Sequence, residues 1–161
     1  MCPAGTSRIV RALVAPRALT EHPHRCGWHL DHGSLTALTC AQYSDASGAE
    51  VPCPDEGAGL YIRARDGRTL RAAFHPCQLA FQMGEASQVQ SGGLLVATPH
   101  CVRAARGPQA RGVARNAFAV FMQPNYDAPL AQPDGAQGGV SAWRPGMDFG
   151  EFAAAKLAGY H

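Results

Sequence analysis

The sequence predicts a mainly β protein of the double-sheet, jelly-roll class with a short C-terminal helix, and three observations support this prediction. The chain has 161 residues, which suits one domain with one core. It contains 18 Gly and 12 Pro, more turn-forming residues than most helical proteins carry. About eight short apolar runs lie between these turns, as is typical of closed or double-sheet β architectures.

The first elements are predicted from apolar and β-branched runs. Residues 7–15 form a predicted strand that a proline ends, and residues 16–25 form a loop rich in His and Pro. Residues 26–30 and 35–40 are predicted strands on either side of a bend at 31–34.

A loop and three more strands are predicted in the middle of the chain. Residues 43–59 have hardly any apolar periodicity and predict a long surface loop. Residues 60–63 and 69–74 are predicted strands joined by an Asp-Gly turn, and residues 79–83 are a further short strand.

The last third of the chain contains one long strand and the C-terminal helix. Residues 103–112 form a basic hairpin loop, and residues 115–123 are the strongest late strand. Residues 125–139 form a Pro/Gly-rich linker. Residues 149–157 are predicted to be helical, with Asp148 as N-cap and Glu151 at the third helical position.

These elements divide the chain into three parts. Residues 1–25 form an N-terminal strand and loop, residues 26–125 form the jelly-roll core, and residues 126–161 form the linker and helix. A barrel of this kind can hold a ligand in its mouth, where side chains from both sheets converge.

Two histidines and a carboxylate are the candidate metal ligands. Alternation along a strand places His29 and Asp31 on the same face and directs His32 to the other. His100, which follows a Gly-Gly turn, an apolar run and a proline, is the candidate third ligand. Two histidines and one carboxylate on one face of a metal are typical of non-haem Fe(II) oxygenases. The alternative is that His29 and Asp31 are polar residues on the solvated face of a strand.

Composition excludes several classes of partner. The net charge is +2, and no Lys/Arg run carries interleaved aromatics, which disfavours a nucleic-acid surface and favours a small-molecule partner. No segment reaches the roughly 18 apolar residues that a membrane span requires.

Six cysteines without a Cys-x-x-Cys pair predict reduced thiols in an intracellular, cytoplasmic protein. The Arg-bearing, acid-poor start also leaves organellar targeting open.

Four segments occur in an order that matches a known family: GWHLDHGSLT (27–36), FQMGE (81–85), SGGLLVATPHCV (91–102) and RNAF (115–118). Over about residues 9 to 125 the chain resembles the double-stranded β-helix core of the non-haem iron, 2-oxoglutarate-dependent oxygenases, in the branch related to isopenicillin N synthase.

The resemblance implies a site and an activity. It implies that His29, Asp31 and His100 bind Fe(II) and that Arg115, which alternation directs into the barrel, binds the far carboxylate of 2-oxoglutarate. The implied reaction uses dioxygen to hydroxylate or otherwise oxidise a small organic substrate, and it converts 2-oxoglutarate to succinate and carbon dioxide.

Three features depart from the family pattern. The serine that usually lies two residues after the arginine is replaced by Ala117. The interval from His100 to Arg115 is longer than usual, so Arg111 is an alternative carboxylate partner. The family's N-terminal helical region is missing, as in a fragment, a short isoform or a decayed copy. We therefore expect exposed apolar surface and either marginal solubility or a partner chain that covers this region.

Two other interpretations stay open. The chain can be a catalytically inactive jelly-roll module that binds metal or another molecule but lacks a substrate-capping region. It can also hold structural zinc at His29, Asp31 and His32, although strand alternation disfavours this set.

Overall fold

The described part of the protein, in a computed structural model, comprises residues 24–75, 77–136 and 139–159. The predicted strand 7–15 lies outside these residues, as does most of the predicted loop 16–25. Neither α-helix among the described residues is long and apolar enough to cross a membrane.

The described residues form ten strands and two α-helices, with one short 3-10 helix at Pro108–Ala110. The strands are β1 (His24–His29), β2 (Leu35–Thr39), β3 (Gln42–Ser44), β4 (Glu50–Val51), β5 (Gly59–Arg63), β6 (Thr69–Ala72), β7 (Leu79–Met83), β8 (His100–Arg103), β9 (Ala114–Asn116) and β10 (Ala119–Met122). The helices are α1 (Glu85–Gln90) and α2 (Phe149–Ala158).

The strands form two layers, as the jelly-roll prediction requires. One layer is a four-stranded antiparallel sheet in the order β1-β8-β5-β6. The other layer contains the sheets β10-β2-β7 and β4-β3-β9, which the chain joins where β2 leads to β3 and β9 leads to β10. Residues from both layers line one cavity between them. The predicted fold class is therefore confirmed.

The largest buried cluster lies outside the barrel, where the C-terminal segment packs on α1. Phe149 and Phe152 of α2 pack with Val89 of α1, and Leu130 is part of the same cluster. Burial of these side chains removes apolar surface from water and attaches the C-terminal helix to α1.

An ion pair and a cap complete the attachment of α2. Lys156 Nζ lies 2.9 Å from Glu85 Oε2, and the Glu85 side chain is buried. The predicted capping box is confirmed, because the Glu151 N–H donates to Asp148 Oδ1 at 2.8 Å and the Asp148 N–H donates to Glu151 Oε2 at 3.1 Å.

The prediction of a single strand over residues 115–123 is wrong, because the structure has two strands there, β9 and β10. β9 pairs with β3, whereas β10 pairs with β2. β2 and β3 are separated at residues 40–41. The segment that pairs with both of them is interrupted opposite this gap, at residues 117–118. The Thr39 N–H donates to the Phe118 carbonyl at 3.0 Å and so bridges the two interruptions.

Two segments form elements that the sequence does not predict. The predicted loop at 43–59 contains β4 and most of β3, and Tyr43 is buried. The sequence predicts no element directly after residue 84, where the structure has α1, whose first turn carries Glu85. By contrast, the apolar residues 94–96 form no strand and are exposed.

Candidate metal centre and its cavity

His29 is the last residue of β1 and lies opposite His100, the first residue of β8. This register brings the two rings together, with centroids 4.1 Å apart and planes inclined at 57°. The Nδ1–H of His29 donates to the Gly27 carbonyl at 2.8 Å, and that of His100 donates to the Thr98 carbonyl at 2.9 Å. Each backbone contact orients its ring so that Nε2 is available as a ligand atom.

Asp31 reaches the two histidines from the loop after β1. β1 ends at His29, and Asp31 follows two residues later, just before the bend at residues 32–34. Asp31 Oδ1 lies 3.8 Å from Nε2 of His29 and 3.8 Å from Nε2 of His100. The three predicted ligands therefore converge on one side of the cavity.

The three side chains fit a divalent metal ion. Each offers one ligand atom, and these atoms all lie within 4.8 Å of one another. Ligand atoms bound at about 2.1 Å to one ion are about 3.0 to 3.4 Å apart, so the two His–Asp separations need to close by less than about 1 Å. Two imidazole nitrogens and one carboxylate oxygen suit iron, zinc, nickel or copper, and three ligands leave open positions.

The two histidines have different protonation preferences. Contact with Cys26, whose Sγ lies 3.5 Å from Nδ1, raises the pKa of His29 to about 9, while burial acts in the opposite direction. Burial lowers the pKa of His100. Proton binding therefore competes with metal binding more strongly at His29 than at His100.

The metal-ligand residues line a cavity of about 680 Å³ that both sheet layers enclose. Arg115 of β9 lines the same cavity, as do Ala117, Ala119 and Phe121, so the predicted inward face of this segment is confirmed. The Tyr43 hydroxyl forms a hydrogen bond with Arg115. Arg111 is exposed and does not line the cavity, so it is not placed to act as the alternative carboxylate partner.

His32, the competing candidate ligand, lies outside this group. Its ring stacks on Phe149 of α2 at a centroid distance of 6.1 Å. Burial lowers the pKa of His32. This packing against the C-terminal helix argues against the zinc set that includes His32.

Sequence reasoning missed three polar residues at the site. Thr36 and Gln82 both contact the Asp31 carboxylate, and Cys26 contacts His29. Alternation along β2 and β7 would have placed Thr36 and Gln82 among inward-facing residues, but only the pairing of the two strands shows that they meet at Asp31.

No protein-family model and no curated protein sequence matches the chain. Solved structures do match it. A full-length protein of Neurospora crassa, in complex with alpha-ketoglutarate, is 22% identical with a TM-score of 0.60, and the match covers 88% of this chain and 39% of that one. A Caulobacter crescentus structure described as a 2OG-Fe(II) oxygenase family protein is 22% identical with a TM-score of 0.63, covering 93% and 45%.

A dioxygenase for auxin oxidation from rice is 20% identical with a TM-score of 0.59, and the match covers 84% of this chain and 41% of that one. The chain thus spans about two-fifths of the length of these proteins. The likeness shows that the chain has the jelly-roll fold of 2-oxoglutarate- and Fe(II)-dependent oxygenases. Assignment to the isopenicillin N synthase-like branch stays a prediction.

Proposed function

We propose that the chain is the core of an Fe(II)- and 2-oxoglutarate-dependent oxygenase that oxidises a small organic substrate. The observation that carries the proposal is the convergence of His29, Asp31 and His100 in a cavity that Arg115 also lines. Similar folds are described in complex with alpha-ketoglutarate, the same compound as 2-oxoglutarate.

The metal ligands and the arginine have different roles in this proposal. His29, Asp31 and His100 bind Fe(II), which supplies dioxygen chemistry coupled to the conversion of 2-oxoglutarate to succinate and carbon dioxide. Arg115 binds the far carboxylate of 2-oxoglutarate, because the planar guanidinium offers two parallel donors to a carboxylate. The apolar part of the lining, including Leu38, Leu60 and Phe121, excludes water from the reacting groups.

The size of the cavity supports a small-molecule substrate. Ligand sites in proteins commonly enclose about 300 to 1,000 Å³, and the cavity of about 680 Å³ lies within this interval.

An anaerobic titration tests the cosubstrate. Addition of 2-oxoglutarate to iron-loaded protein should produce a weak metal-to-ligand charge-transfer band. Arg115→Gln should keep iron but require a much higher 2-oxoglutarate concentration, whereas Arg111→Gln should behave as the wild type. Absence of the band in iron-loaded wild-type protein would contradict the use of 2-oxoglutarate.

Turnover separates the oxygenase from a binding module. In air, the wild-type chain with Fe(II) should release succinate from 2-oxoglutarate, and His100→Ala should release none. An iron-loaded chain that forms the charge-transfer band but no succinate would instead support the non-catalytic module.

A further inference from the structure

Thr36 and Gln82 lie side by side on neighbouring strands of one sheet, beside the candidate metal ligands. They are direct partners in the antiparallel pairing of β2 and β7, and both line the cavity. Both are buried, with exposed fractions of 2% and 8%. Buried polar side chains require hydrogen-bond partners, so their contacts indicate what the pair does.

Both side chains donate to the same oxygen of Asp31. Thr36 Oγ1 donates to Oδ2 at 2.5 Å, and Gln82 Nε2 donates to Oδ2 at 2.7 Å. The other oxygen, Oδ1, faces the two histidines at 3.8 Å from each Nε2. The two oxygens of one carboxylate are thus separated into a hydrogen-bonded atom and an atom directed toward the ligand nitrogens.

Gln82 also contacts a second ligand. Its Nε2 lies 3.0 Å from Nε2 of His100, whose Nδ1–H is committed to the Thr98 carbonyl. Nε2 of His100 therefore carries the single lone pair of the ring, which accepts from Gln82 in this arrangement and would be donated to an ion in place of that contact. Within the described part of the chain, Gln82 Oε1 is buried and accepts no hydrogen bond, so the carboxylate and the imidazole set the orientation of the amide.

We propose that Thr36 and Gln82 are positioning residues that make Asp31 a one-oxygen ligand, because they occupy Oδ2 and leave Oδ1 for the ion. A carboxylate without such donors can rotate or bind an ion through both oxygens. The pair therefore fixes the ligand geometry and preserves an open coordination position. This inference rests on the proposed function only in requiring that a divalent ion binds at His29, Asp31 and His100.

Cobalt(II) binding tests the inference, since its visible absorption reports coordination geometry without any turnover. Removal of residues that hydrogen-bond to metal ligands commonly weakens metal binding by about 10- to 100-fold. We expect losses of this size for Thr36→Val and for Gln82→Met, which keep side-chain size but remove the donor. We also expect the visible bands to shift in intensity and position, because Oδ2 becomes free to reach the ion.

Matched variants serve as controls. Thr36→Ser keeps the hydroxyl and should have the Co(II) affinity and spectrum of the wild type. A loss seen in Thr36→Val but not in Thr36→Ser is then due to the missing hydroxyl. Thr69→Val and Gln90→Met make the same changes at exposed positions away from the cavity and should leave both readouts unchanged.

The outcomes distinguish the two proposals. If wild-type protein binds Co(II) and both Thr36→Val and Gln82→Met bind it with the same affinity and spectrum, the positioning role is overturned and the metal centre stands. If folded wild-type protein binds neither Co(II) nor Fe(II), the proposed function and the positioning role both fail.

Discussion

Ala117 lies two residues after Arg115 and faces the same cavity. The oxygenase family that the chain resembles usually has a serine at this place, which adds a hydrogen bond to the 2-oxoglutarate carboxylate. We predict that Ala117→Ser strengthens 2-oxoglutarate binding by about 1 to 2 kcal/mol, or about 5- to 30-fold. The anaerobic titration that monitors the charge-transfer band measures this change.

A second inward position provides the control for Ala117→Ser. Ala119→Ser introduces the same hydroxyl two residues further along, on the same cavity face. It should leave 2-oxoglutarate affinity close to that of the wild type. Equal tightening by both variants, or by neither, would argue that the carboxylate does not lie beside Arg115.

The phenol of Tyr43 makes the free energy of unfolding depend on pH in the alkaline range. Burial and a hydrogen bond with Cys53 raise the pKa of Tyr43 to about 12, from an unfolded value near 10. Between these values the unfolded chain loses the phenol proton while the folded chain keeps it. The stabilisation from the neutral phenol is therefore complete below about pH 10 and is lost as the pH rises to about 12.

Urea unfolding of wild-type protein and Tyr43→Phe at several pH values tests this linkage. Between about pH 9 and 11.5 the free energy of unfolding of the wild type should fall by on the order of 1 to 2 kcal/mol more than that of Tyr43→Phe. Parallel pH profiles of the two proteins would show that the hydroxyl does not titrate differently in the folded state.

At the scale of elements, the first turn of α1 holds the metal-ligand loop in place. The Glu85 N–H donates to the Asp31 carbonyl at 2.8 Å, and the Ala86 N–H donates to the Gly33 carbonyl at 3.1 Å. Ser87 Oγ donates to the Ser34 carbonyl at 2.8 Å. These bonds fix the backbone that carries Asp31 while the Asp31 side chain contacts Thr36 and Gln82.

Gly84 permits this close approach of helix and loop. A Cβ at residue 84 would overlap the carbonyl oxygen of Gly33 and would lie 3.0 Å from that of Asp31. We predict that Gly84→Ala lowers the free energy of unfolding by more than about 2 kcal/mol and weakens metal binding, because both backbones must move.

Thermal unfolding and metal titration measure both effects of Gly84→Ala. Gly139→Ala is the control, since a Cβ there would meet no atom of the described residues within 4 Å apart from its chain neighbours. A Gly84→Ala protein with wild-type stability and metal affinity would contradict the claim that α1 fixes the loop.

Local sequence signals predicted the elements that depend on neighbouring residues. The capping box needs only Asp148 and Glu151, and the inward face of the late strand needs only alternation. The hairpin β3–β4 was missed because Tyr43 is a lone aromatic residue in a polar segment, and its burial depends on pairing with β9. Similarly, the contact of Gln82 with Asp31 joins residues far apart in the chain, and no spacing encodes it.

At the scale of the whole molecule, the outer face of the sheet β10-β2-β7 is apolar and exposed. Leu79 and Phe81 of β7 are 61% and 59% exposed, and Phe118 on the adjoining segment is 45% exposed. The alternation that directs Gln82 inward directs Leu79 and Phe81 outward. This exposure agrees with the expectation of apolar surface, and such surface promotes association with a partner chain or with other copies.

We predict that Leu79→Thr combined with Phe81→Lys reduces binding of an apolar fluorescent dye and reduces self-association in sedimentation experiments. Iron binding should not change, because neither residue lines the cavity. Thr69→Lys, at an exposed position on the other layer, adds the same charge as a control. Equal dye binding by the wild type and the double variant would show that this face is not the associating surface.

Equilibrium dialysis against Fe(II) under anaerobic conditions measures whether His29, Asp31 and His100 together bind one ion. Wild-type protein and His32→Ala should each retain one equivalent of iron, whereas His100→Ala should retain none. Retention of iron by His100→Ala together with its loss from His32→Ala would contradict this ligand set and would support the site that contains His32.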